Sequence, residues 1–231
     1  MLIDDIEETA ADTVLEALDA LAALELTPDM LLQASRRVDW RFLLPNPTLG
    51  RVAYVGPVDS EHAASLRLFC RTFIAIQPDW SPEAYQQAKE SFDVVVVERP
   101  SSKTLPTLAT LVRPGGYIYL ELYGSSWSAK KQVKQRKLRV KGLNKLRPNR
   151  FDKPLELAGF VNTTTHWHWP DFEGCTKIIP LGSQTAVRFA LANEKKGAKA
   201  RLQALFSEQL NQAGLLPQLV PCYSVLAQRW G

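Results

Sequence analysis

Glu98 and Arg99 close an apolar run, Phe92 to Val97, that contains four consecutive valines. A carboxylate at the end of such a run can orient a nucleophile or take its proton, and the guanidinium beside it can hold an anionic group. The plainer alternative is an ion pair on a surface loop. A second group is His166-Trp167-His168-Trp169. Alternation with period two puts both imidazoles on one face of a strand and both indoles on the other. An imidazole titrating near neutrality suits a general base, so His166 and His168 join Glu98 as catalytic candidates, with packing as their alternative role. Asp171, Glu173 and Cys175 follow, but no second ligand cluster stands at proper spacing, so no metal is expected.

The third feature is charge. From Lys130 to Lys153 the chain carries eleven Lys or Arg against the single acid Asp152; the rest, with 17 bases and 23 acids, is net negative although the whole is +4. Lys130, Lys134 and Lys137 would line one helical face, dense enough to neutralise several phosphates. Nucleic acid, an anionic membrane surface, a phosphorylated or nucleotide-linked substrate and a solvated lid all remain open. The preferred expectation is a lid for an anionic substrate, with Arg99, Lys130, Lys134 and Lys137 as its anion contacts.

The elements that must position these groups follow from local pattern. Residues 4–26 carry apolar side chains at helical spacing, and Thr27-Pro28 opens a second helix. Arg51 to Gly56, Thr72 to Gln77, Phe92 to Val97 and Tyr117 to Leu122 read as short buried strands. Ser60 to Cys70, Pro82 to Glu90 and Leu105 to Val112 read as helices between them, the last ended by Arg113-Pro114-Gly115-Gly116. Strands alternating with helices predict an α/β fold with a mostly parallel, doubly wound sheet. Val161 to Trp169 and Leu219 to Trp230 predict further strands, and Thr185 to Gln212 a helical stretch. No run approaches the ~18 apolar residues of a membrane helix, the start is acidic, and three scattered cysteines form no framework, so a cytoplasmic protein is expected.

The stretch Leu111-Val112-Arg113-Pro114-Gly115-Gly116-Tyr117-Ile118-Tyr119-Leu120-Glu121 resembles the helix, turn and fifth strand of class I S-adenosylmethionine-dependent methyltransferases. Phe92 to Val96 resembles that family's fourth strand, Gly159-Phe160 its lead into the sixth, and Tyr223 to Ala227 its closing antiparallel strand. The resemblance implies a Rossmann-like fold with helices on both faces, in which residues 1–48 pack on a domain of residues 49–231. Residues 128–153 and about 185–212 would then be insertions. It also implies a cofactor, S-adenosylmethionine, held at the strand tips by Gly56, Asp59, Gln77 and Glu98.

The chain departs from that pattern at several points. Tyr54 stands where the family has an acid, and Gly56-Pro57-Val58-Asp59-Ser60 keeps only the first glycine of a glycine-rich loop. Gln77 replaces the acid that grips the ribose, and the span from Gln77 to Asp93 leaves no room for a third strand. Three functions follow from this reading. The first is an atypical methyltransferase acting on a small or anionic biosynthetic substrate. The second is a catalytically inactive methyltransferase-fold scaffold or partner of another enzyme. The third is a polyanion or nucleic-acid binding module.

Overall fold

The structure, a computed structural model, describes residues 27–76, 80–123, 151–192 and 220–231. Helix α1 (Pro28–Arg37) begins as its sequence requires: the Thr27 side chain accepts from the Met30 amide, proline stands in the first turn and Asp29 faces the positive end of the helix. A short 3-10 turn (Asp39–Leu43) leads to β1 (Leu49–Val55). Then follow α2 (Glu61–Phe69), β2 (Cys70–Ala75), α3 (Pro82–Gln87), β3 (Phe92–Glu98), α4 (Leu105–Ala109) and β4 (Val112–Tyr123). The described chain continues with α5 (Asp152–Leu157), β5 (Phe160–Trp169), β6 (Lys177–Pro180), α6 (Gln184–Ala192) and β7 (Cys222–Arg229).

The seven strands form one mixed sheet in the order β2-β1-β3-β4-β7-β5-β6. The pairs β1–β2, β1–β3 and β3–β4 are parallel, and β7 runs antiparallel to both β4 and β5. This is a Rossmann-like α/β sheet with an antiparallel closing strand. Among the described residues no strand pairs with the outer edge of β2, and only α3 separates β2 from β3, as the short span predicts. No described helix is long and apolar enough to cross a membrane.

The valine run explains the centre. Alternating side chains send Val95 and Val97 into a cluster with Ile118, Leu120, Leu105, Leu108 and Leu155, and send Val94 and Val96 into one with Val52, Tyr54, Tyr119, Trp40 and Leu66. Both faces of β3 are therefore dry. A third cluster gathers Trp167, Ile179, Leu181 and Val187.

Several boundaries differ from the sequence expectation. The turn at Arg113-Pro114-Gly115-Gly116 lies within β4, which already pairs at Val112 and resumes at Tyr117 after a register shift. Gly115 takes φ +74°, the left-handed conformation that lets the chain bulge and return to the ladder. The second strand runs Cys70–Ala75, and β6 was not foreseen because four residues are too few to show a period.

Candidate functional site

The parallel register of β3 and β4 sets Glu98 directly beside Glu121 at the strand tips. Two carboxylates side by side in a poorly hydrated place cannot both stay ionised without compensation. Arg37, the last residue of α1, supplies it: its two terminal nitrogens donate to the two oxygens of Glu121 at 2.7 and 2.8 Å, and one of them stands 3.6 Å from Glu98 Oε1. Glu121 is fully buried and Arg37 is 7% exposed. A buried charge of this kind persists only when its partner is geometrically fitted to it. Burial works against the charged guanidinium, yet Glu121 outweighs it and Arg37 is held above its ordinary pKa.

His62 comes from the first turn of α2, whose N-cap is Ser60, accepting from the Ala63 amide at 3.1 Å. The imidazole Nδ1 lies 3.0 Å from Glu98 Oε1 and 3.5 Å from Glu121 Oε1. An ionised carboxylate only accepts, so Nδ1 carries the proton. Tyr54 rises from β1 on the same side: its hydroxyl donates to Glu98 Oε1 at 2.7 Å and lies 2.8 Å from Ser60 Oγ. Burial alone would raise the Glu98 pKa, but hydrogen bonds from His62 and Tyr54, with the charges of His62 and Arg37, hold it below the usual carboxylate range. Burial and the Glu98 charge push the Tyr54 phenol well up, so it remains a neutral donor.

A second polar string adjoins the first. His168 Nε2 lies 2.8 Å from Ser224 Oγ and 3.4 Å from the Tyr119 hydroxyl, while Nδ1 is 3.6 Å from Cys175 Sγ. Phe172 connects the two groups, with its ring centroid 4.7 Å from that of His168 and 5.5 Å from the Arg37 guanidinium carbon. Burial pushes His166 down to about 4 and His168 to about 3, so both imidazoles are neutral at pH 7. His166 Nδ1 has no hydrogen-bond partner among the described residues, and Trp167 belongs to the third apolar cluster.

Of the residues singled out in the sequence, Gly56 and Glu98 are brought together through Tyr54, and His168 adjoins them through Phe172. Asp59 and Arg99 are exposed; Arg99 has φ 52° and lies over the Tyr123 ring at 5.5 Å. Gln77, Lys130, Lys134 and Lys137, like most of the basic segment, lie outside the described residues. The sequence reading missed Arg37 and His62 and gave Glu121 little weight. The usable signal was that both Glu98 and Glu121 end parallel strands, which leaves two acids in need of a cation.

No family model matches this chain, and no curated protein matches it. Several solved structures are similar to it. A phosphoethanolamine N-methyltransferase 2 of Haemonchus contortus, holding phosphomonomethylethanolamine and S-adenosylhomocysteine, is 13% identical, with a TM-score of 0.43 over 91% of this chain and 59% of that one. A SAM-dependent methyltransferase of Archaeoglobus fulgidus is 12% identical, with a TM-score of 0.47 over 85% and 94%. The chain thus spans about three fifths of the length of the Haemonchus protein.

Whether the residues present fit S-adenosylmethionine can be judged at Gly56. A Cβ placed on Gly56 would fall 2.5 Å from the Tyr54 hydroxyl oxygen and 2.7 Å from the ring carbon bearing it. The space beside the retained glycine is filled by the protein's own tyrosine, and the glycine is needed to admit that ring. A cofactor therefore cannot approach the Gly56 backbone from the side that the Tyr54 ring occupies. A metal ion meets a similar obstacle. His62, Glu98 and Glu121 offer donor atoms all within 4.8 Å of one another, but Arg37 already takes both Glu121 oxygens.

Proposed function

We propose that this chain is a non-catalytic protein built on a methyltransferase-type scaffold, one that binds a ligand or partner and transfers no methyl group. The observation that carries this reading is the Tyr54 phenol packed into the space beside Gly56. The acid expected two residues before that glycine is replaced by a ring whose hydroxyl is spent on Glu98 and Ser60. With Gln77 in place of a ribose-gripping acid, the charge-assisted contacts that a nucleoside cofactor commonly uses are fewer, and each is typically worth about 1.5–3 kcal/mol.

The test is calorimetric titration of the full chain with S-adenosylmethionine and with S-adenosylhomocysteine. The expected outcome is no saturable heat up to millimolar ligand; a micromolar dissociation constant for either one ends this reading.

A second reading is favoured by Glu98, which sits 13% exposed at a strand tip and is held ionised. In that reading the chain is an atypical methyltransferase for a small or anionic substrate. Gly56, Asp59, Gln77 and Glu98 hold the cofactor, Glu98, His166 or His168 assists transfer, and Arg99 with the basic segment holds the substrate. Tight binding in the same titration supports it.

A further inference from the structure

Helix α1 sends one side chain into the body of the protein. Among Pro28–Arg37 only Arg37 is buried, while Met30, Leu31 and Leu32 stand 42–51% exposed. The receptacle that Arg37 enters is built without α1: Glu98 comes from β3, Glu121 from β4, His62 from α2 and Phe172 from the segment after β5. Glu121 meets the guanidinium edge with both oxygens, Glu98 adds a second charge at 3.6 Å, and the Phe172 ring lies 5.5 Å from its central carbon. Two-point contact by a carboxylate together with an aromatic ring matches a planar, delocalised cation and suits a compact ammonium far less well. His62, 1% exposed, turns Nδ1 to both carboxylates and completes the polar side of the receptacle.

We propose that this receptacle is a binding site for a guanidino compound and that Arg37 is its internal occupant, displaced when the ligand enters. The core supplies the acids and the last residue of α1 supplies the plug, so the Arg37 side chain gates the site while Val38 and Trp40 stay anchored in the core. The ligand class is a small molecule or side chain ending in a guanidinium, entering along the path that the Arg37 side chain vacates. This rests on the reading that the strand tips bind and do not transfer; S-adenosylmethionine binding would end that reading and leave the receptacle standing.

The probe is methylguanidinium chloride at concentrations far below denaturing, with methylammonium chloride as control and full-length protein throughout. In calorimetry, Arg37→Ala is expected to bind methylguanidinium saturably and at least about tenfold more tightly than the unaltered chain, because the internal competitor is gone. Arg37→Ala with Glu121→Gln is expected to lose that binding. A folded Arg37→Ala chain without saturable binding overturns the proposal, as do equal affinity in both chains and binding of manganese alone. Should Arg37→Ala fail to fold, Arg37→Met keeps the apolar stem and takes its place. If neither folds, refolding yield is compared in methylguanidinium and in methylammonium: a higher yield in the first supports the site, and equal yields overturn it.

Discussion

A carboxylate with no solvent exposure costs several kcal/mol to bury, and at Glu121 that cost is offset by the two-point contact with Arg37. Removing either partner alone strands the other charge, so Arg37→Met and Glu121→Leu should each destabilise the chain by roughly 3–5 kcal/mol. The double substitution should cost much less than the sum, since no charge is left unmatched at that pair. Urea denaturation of the four chains measures the coupling, and strictly additive losses would show that the pair is not mutually dependent. Neither residue advertises this role locally. Arg37 is one of two adjacent arginines at a helix end, and its partner lies 84 positions away.

At the scale of elements, β5 carries two histidines whose imidazoles are buried and uncharged. Their folded pKa values, about 4 and about 3, lie below the usual 6.5. Below pH 6.5 the unfolded chain takes up protons that the folded chain refuses, so stability falls with falling pH until the folded values are reached, and is fully present above 6.5. Each histidine contributes a slope of up to roughly 1.4 kcal/mol per pH unit in that window. Glu98 acts in the same direction at lower pH, since its depressed pKa makes its contribution fade as pH drops beneath the ordinary carboxylate range. Urea midpoints between pH 7.5 and 4 should fall steeply, and His166→Gln should flatten the curve; a flat profile for the unaltered chain would contradict the burial. The sequence did place His166 and His168 on a strand, but period two says nothing of how deep that strand lies. Depth comes from β6 and β7 flanking it.

At the scale of the whole molecule, the last strand is the joint of the sheet. β7 lies between β4 and β5, holding the antiparallel part of the sheet to the parallel part, and its Ser224 supports His168. Deleting residues 222–231 should therefore prevent folding outright, which is read as loss of soluble protein and of near-ultraviolet circular dichroism. A soluble, cooperatively melting truncation would refute that. The sequence by itself determined the alternating strands and helices, the valine-rich centre and the missing third strand. All of these are written in neighbouring residues through hydrophobic period and chain length. Only the tertiary structure decided that Tyr54 fills the space beside Gly56 and that Arg37, His62, Glu98 and Glu121 meet. The hydrogen bonds from Arg37, Tyr54 and His62 to the two acids join residues 36 to 84 positions apart, and they exist only once parallel pairing aligns the strand tips and the packing of α1 and α2 brings their side chains over them.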